Sequence, residues 1–133
     1  MYTWDTTVKL HQTDAAGIVF YGNYFRIVHD AYEAFMGSLG FDFNYIINEA
    51  DFLVLIAHAE ADYSGSLRPS EKIRVQIALD KIGTTSFVLG YDVLNTAGDS
   101  VCRLKTVHVA TDKKSGRKRP LPEKLRAKLV AAT

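Results

Sequence analysis

The residues best suited to chemistry fall in one stretch, Thr13-Asp14-Ala15-Ala16-Gly17-Ile18-Val19-Phe20-Tyr21-Gly22-Asn23-Tyr24. An acidic side chain stands in a turn of small residues, a glycine follows, and the pattern of the longest helix begins soon after. Helix N-termini present unpaired amides and the positive end of the backbone dipole. A carboxylate beside them can be a structural cap. It can also act as a base or nucleophile on an electrophile that those amides polarise. Spacing alone leaves both readings open.

Other constellations carry less. Asp30 and Glu33 share a helical face and read as solvent-facing or interfacial groups rather than the principal catalytic carboxylate. His58 reads first as a hydrogen-bonded strand histidine, and second as a group that lines a pocket or orients water. His11, His29 and His108 lack metal-ligand spacing and no second cysteine stands near them, so no metal site is expected. Cys102 alternates with Leu104, Thr106, His108 and Ala110 and reads as a buried structural thiol. There is no Gly-x-Ser-x-Gly elbow for a serine hydrolase and no glycine loop for phosphate.

The elements that must hold these residues follow from periodicity. Trp4, Thr6, Val8 and Leu10 alternate with polar neighbours, which predicts a strand with those four inward. Tyr24, Ile27, Val28, Ala31, Phe35 and Leu39 recur at three and four, the stripe of an amphipathic helix, with Asn23 as expected N-cap and Gly37 and Gly40 as the stop. A short second helix is expected from Asp42 to Ala50. Strands follow at 52–63, with Ala57, Ala59 and Ala61 on the buried face, and at 72–82, 86–94 and 101–111. Gly83-Thr84-Thr85 and Asn95 to Asp99 are turns, and a basic loop from Lys113 to Pro120 precedes a closing helix over 121–130. One helix followed by four strands in a meander predicts an α+β fold, a single domain over residues 1–133.

Composition narrows the function classes. A net charge of +1 makes no field for nucleic acid or an anionic membrane, so neither partner is expected. The longest apolar run, Phe52 to Ala57, is far short of the ~20 residues that cross a bilayer. The N-terminus lacks the basic start and apolar run of a signal peptide, and a lone cysteine suits a reducing cytoplasm.

The stretch from Asp14 to Tyr24 resembles the signature of the 4-hydroxybenzoyl-CoA thioesterase family of hotdog-fold proteins, in which a typical run is Asp-Pro-Ala-Gly-Ile-Val-Trp-Tyr-x-Asn-Tyr. His58-Ala59-Glu60-Ala61-Asp62-Tyr63, Arg68-Pro69, Thr85-Ser86-Phe87 and Arg119-Pro120-Leu121-Pro122 extend the likeness over nearly the whole chain. The segment His29-Asp30-Ala31-Tyr32-Glu33 is similar to the related 1,4-dihydroxy-2-naphthoyl-CoA thioesterases. The resemblance implies a curved antiparallel sheet wrapped around the long helix, and hydrolysis of an acyl-CoA with no cofactor. It implies Asp14 as catalytic carboxylate and the backbone amide of Tyr21 as donor to the thioester oxygen. Gly17, Tyr24, His58, Thr85 and Ser86 would meet the substrate. Where the aromatic-CoA branch carries basic residues before its Ser-Phe, this chain has Gly83-Thr84-Thr85. The CoA phosphates are therefore expected at Arg68, Lys81, Lys113, Lys114 or Arg117.

Phe20, Tyr21, Tyr24 and Phe25 crowd the motif and favour an aromatic acyl group, such as hydroxybenzoyl or dihydroxynaphthoyl. The alternative is a non-catalytic protein that binds acyl-CoA or an acyl carrier on the same scaffold. A chain this short has little surface with which to enclose CoA, and relatives of this kind build their sites between subunits. A homodimer or dimer of dimers is expected, with Asp14 of one subunit facing strand residues of its neighbour.

Overall fold

The computed structural model describes residues 1–132. In chain order it contains β1 (Tyr2–Thr7), a 3-10 turn (Leu10–Gln12), α1 (Asn23–Ser38), α2 (Phe43–Asn48), β2 (Phe52–Tyr63), β3 (Lys72–Ile82), β4 (Ser86–Leu94), β5 (Ser100–Asp112) and α3 (Glu123–Ala131). All five strands join one antiparallel sheet in the order β1-β3-β4-β5-β2. The expected four-strand meander is thus only three strands long. Alternation says which face a strand buries, and it does not say which strand lies beside it. Residues 64–71 carry the chain away from β2, which pairs with β5 at the far edge.

The buried stripe of α1 is the expected one, with Tyr32 and Met36 added, and it packs on Ile73, Val75, Ile77, Phe87, Leu89 and Val93 of the sheet. Phe35 is wholly buried there. Truncating such a ring typically costs about 3–5 kcal/mol. Gly40, at φ +86°, ends the helix. Its N–H donates to Gly37 O and the Phe41 N–H to Met36 O, each at 3.0 Å, which satisfies carbonyls the helix leaves open.

Three local expectations are corrected. Leu10 is 77% exposed, because β1 ends at Thr7 and the 3-10 turn swings the next side chains out of the strand's alternation. Gly22, not Asn23, takes the N-cap position; the Asn23 side-chain amide donates instead to Gln12 O at 2.8 Å and ties the helix start to the preceding loop. Ala57 and Ala59 are exposed and Ala61 only half-buried. A bulge between Ile56 and His58 displaces Ala57 from the alternation, and no strand lies beyond the β2 edge. Asp42 does cap α2, its Oδ1 accepting from the Tyr45 N–H at 2.8 Å.

The two ends of α1 meet opposite ends of β2. The helix starts at the Tyr63 end, where Tyr24 meets Tyr63 edge-on at 5.4 Å. Its exit lies at the other end, where Phe41 meets Phe52 at 6.3 Å.

Candidate active site

The loop before α1 is a small closed structure. The Asp14 N–H donates to Ile18 O at 2.9 Å, the Phe20 N–H to Gln12 O at 3.0 Å, and the Val19 N–H to Leu67 O at 2.9 Å. Gly17, at φ +76°, closes the turn, and its N–H donates to Asp14 O at 3.0 Å. That backbone conformation strains any residue with a Cβ. The exposed Asp14 carboxylate accepts the Ala16 N–H on Oδ1 at 2.8 Å, an Asx turn that fixes the side chain in direction. Oδ2 has no hydrogen-bond partner among the described residues.

Seven positions on, the Tyr21 N–H donates to no backbone carbonyl among the described residues. Its carbonyl accepts from Tyr63 Oη at 2.9 Å, which holds the peptide beside the helix start. The Phe20, Tyr21, Tyr24 and Tyr63 rings form a chain of contacts at 4.6–6.4 Å around it. Tyr24 is a core member of that cluster: it is buried, and burial pushes its phenol up to about 12. Tyr63 is visible in the sequence only as the last residue of a matched segment, and its hydroxyl fixes the Tyr21 carbonyl through a hydrogen bond.

The other residues expected to meet the substrate lie elsewhere. Thr85 and Ser86 form the β3–β4 hairpin, where Ser86 pairs with Val109, whereas Tyr63 pairs with Cys102. Seven residues of β5 separate those registers, about 23 Å at ~3.3 Å per residue. Lys81 pairs with Val88 at the hairpin end, and the loop with Lys113, Lys114 and Arg117 follows β5 at that same end. Lys113 is already engaged, its ammonium donating to Ile46 O at 2.7 Å and Ile47 O at 3.0 Å at the end of α2. Arg68 stands apart from these, near the Asp14 loop, its backbone N–H on Glu71 Oε1. His58 pairs with Val107 in register, on the sheet face opposite Thr106, and contacts Glu60 Oε1 at 3.2 Å. One chain therefore brings together Asp14, Gly17, Tyr21 and Tyr24, and leaves the hairpin and basic loop at the far end.

Between α1 and the sheet lies a cavity of about 660 Å³, bounded by Gln12 and Asn23 beside the loop, Phe25 and His29 on the helix, and Tyr91 and Thr106 on the sheet. Tyr91 Oη and Thr106 Oγ1 are 2.9 Å apart, and Thr106 Oγ1 is 2.6 Å from His108 Nε2. His108 stacks on Phe87 at 4.8 Å, and burial, with a smaller contribution from His29, pulls its pKa down to about 3. In the sequence Thr106 and His108 stand out only as inward positions of a strand. Among the described residues no cluster of three or more His, Cys, Asp or Glu is placed to hold a metal ion, and no helix is long and apolar enough to cross a membrane.

A carboxylate fixed beside a free amide at a helix start can act on a carbonyl that the amide polarises. Residues 8–129 match the thioesterase-like superfamily, and the chain belongs to it. It is 31% identical over 129 residues to a 1,4-dihydroxy-2-naphthoyl-CoA hydrolase of Thermosynechococcus vestitus, covering 97% of this chain and 88% of the relative. A protein of the same name from Rippkaea orientalis is 31% identical over 127 residues, covering 94% and 92%. The fold superposes on a 1,4-dihydroxy-2-naphthoyl-CoA thioesterase from Synechocystis with a TM-score of 0.91 at 24% identity, over 97% of this chain and 95% of that one. A gentisyl-coenzyme A thioesterase gives 0.87 at 23%, over 96% and 99%. The expected α+β hotdog fold is therefore the observed one.

Proposed function

We propose that this thioester hydrolase cleaves an aromatic acyl-CoA, of the 1,4-dihydroxy-2-naphthoyl or a related hydroxylated aryl type, through Asp14 and the Tyr21 amide. One observation carries the reading: a carboxylate fixed by its own Asx turn beside a helix start whose Tyr21 N–H has no backbone acceptor. Such a donor stabilises the oxyanion that forms when a thioester carbonyl is attacked, and one donor is worth about 2.7–4 kcal/mol. Asp14 Oδ2 would supply the other half. It either attacks the carbonyl carbon, expelling the CoA thiolate and leaving an anhydride that water opens, or takes a proton from an attacking water. The activity of the two relatives supports the substrate class. Nothing observed favours the non-catalytic alternative.

The chain would act in the cytoplasm as a homodimer or a dimer of dimers. The β2 edge is unpaired and exposes Leu55 and Ile56 at 50% and 46%. An antiparallel pairing of two such edges sets the Tyr63 end of one chain beside the Phe52 end of the other. That arrangement would bring Thr85, Ser86, Lys81, Lys114 and Arg117 of one chain toward Asp14 of its partner, with Arg68 beside the loop itself.

The test is release of free thiol from a panel of acyl-CoAs, including 1,4-dihydroxy-2-naphthoyl-CoA, 4-hydroxybenzoyl-CoA and aliphatic members. Faster turnover of the aromatic members is expected. No release from any of them, alongside measurable binding, overturns hydrolysis. In a single turnover in ¹⁸O-labelled water, label entering the Asp14 carboxylate establishes the anhydride route, since general-base hydrolysis labels only the acid product.

A further inference from the structure

The cavity between α1 and the sheet holds an unusual pair. Tyr91 and Thr106 line it and yet are only 4% and 5% exposed, and their hydroxyls continue to a third buried group, His108. Buried polar groups are costly unless every donor finds an acceptor. Here one member stands unsatisfied, since His108 Nδ1 has no partner.

Counting donors and acceptors limits where the protons sit. Burial keeps the imidazole neutral at ordinary pH, so it has one N–H. On Nδ1 that N–H would be a buried donor with no acceptor. On Nε2 it leaves only a lone pair unmatched, the lesser loss, because orphaned buried donors are rarer than under-used acceptors. Nε2–H then donates to Thr106 Oγ1, and in the Tyr91–Thr106 pair either hydroxyl can donate to the other. When Thr106 donates, the phenolic proton of Tyr91 has no acceptor in the chain and is free to turn into the cavity that Tyr91 lines.

We propose that Tyr91, oriented by Thr106 and His108, is a specificity-determining residue that donates a hydrogen bond to an oxygen on the ring of the acyl group. This rests on the aryl thioesterase reading and deepens it. The cavity volume lies within the ~300–1,000 Å³ typical of small-molecule pockets. The helix start and the Asp14 loop bound the same space through Asn23 and Gln12. A site built to bond a ring oxygen penalises the ligand that lacks it, because the buried phenol is then left unpaired. Thr106 and His108 are positioning residues, since they reach the ligand only through Tyr91.

The experiment compares ring-hydroxylated and bare ligands, both as free acids and as thioesters. Isothermal titration of 1,4-dihydroxy-2-naphthoate against 2-naphthoate needs no turnover and no variant. The native protein should bind the hydroxylated acid about tenfold more tightly or better. Equal binding of both acids, or tighter binding of the bare one, overturns the proposal whatever the hydrolytic activity. Tyr91→Phe should remove that preference and lower kcat/KM for the hydroxylated thioester about tenfold, leaving 2-naphthoyl-CoA within twofold. Equal loss on both thioesters would mean a packing role, and an unchanged preference would mean no role; either overturns the proposal. Thr106→Ser keeps the hydroxyl and should keep the preference, which Thr106→Val should lose. If the acids are discriminated and no thioester is cleaved, the hydrolase reading fails and the cavity inference stands.

Discussion

The two ends of the sheet differ in how their polar groups are held. At the Tyr63 end, Asp14 and Tyr21 sit on a loop closed by short backbone hydrogen bonds, with a helix start and an aromatic cluster around them. At the hairpin end, Thr85 and Ser86 sit on a turn, and Lys114 and Arg117 project from an exposed loop. The first end is held in the way that suits a reaction tolerating little displacement. The second is suited to holding a flexible, highly charged ligand, where long cationic side chains adjust. Both sets belong to one catalytic cycle in the proposed function, and about 23 Å of strand separates them within a chain. In the proposed function a single chain would carry two half-sites, and pairing of chains would make them whole.

Neutralising the first end should have the largest effect. Asp14→Asn retains an oxygen for the Ala16 N–H and removes the charge, so the loop should persist while kcat falls by about 10²–10⁴-fold. Stopped-flow thiol release with a parallel thermal melt checks both halves of that statement.

Mixing variants tests whether the halves come from different chains. Thr85→Trp blocks the hairpin end, and alone should be nearly inactive. Unfolded and refolded together in equal amounts with Asp14→Asn, it should restore about a quarter of native activity, because random pairing makes half the dimers mixed, each with one intact site. Failure to recover any activity would place each site within one chain.

His108 lies between the ends and, being buried, takes up a proton only at lower pH than a surface histidine. Its folded pKa, about 3, is below the ordinary value of 6.5, so between those limits the unfolded chain binds the extra proton. Stability is therefore full above pH 6.5 and falls as pH drops toward 3, by up to ~1.4 kcal/mol per unit. Urea melts from about pH 7 to about pH 4 should show a shallower decline in His108→Gln than in the native chain.

The smallest effects are expected in the basic loop. Lys114→Ala with Arg117→Ala should raise KM about three- to tenfold, and less so at high salt, where exposed charges are screened. Lys113→Ala should instead lower the melting temperature, because its ammonium holds the last carbonyls of α2. A large KM effect from Lys113→Ala with no change in melting would reverse that division.

Many of these features are legible in the residues themselves. The stripe from Tyr24 to Leu39, the strands at 72–82 and 86–94, the Asp42 cap and the buried Cys102 follow from local periodicity and side-chain chemistry. The motif from Asp14 to Tyr24 points to the family by its resemblance to the family signature, and its spacing alone does not. Asn23 departs from its expected capping role because its amide has a better partner in Gln12 O, eleven residues back, than in the helix it begins. In β2 one bulge displaces Ala57 from the alternation, whereas Ala59 and Ala61 keep the face of Thr106 and Leu104 and are uncovered because the edge is unpaired.

The order of amino acids therefore determined the elements, their buried faces and the presence of a carboxylate before a helix. Those depend on periods of about two and 3.6 and on groups within a turn of each other. Tertiary structure alone decided that β2 crosses to the far edge and that Asp14 and Ser86 stand at opposite ends. It alone joined Tyr91, Thr106 and His108 into one buried chain of hydroxyls and imidazole. Neighbours in a sheet are chosen by packing over the whole core, and no local pattern in the sequence encodes that choice.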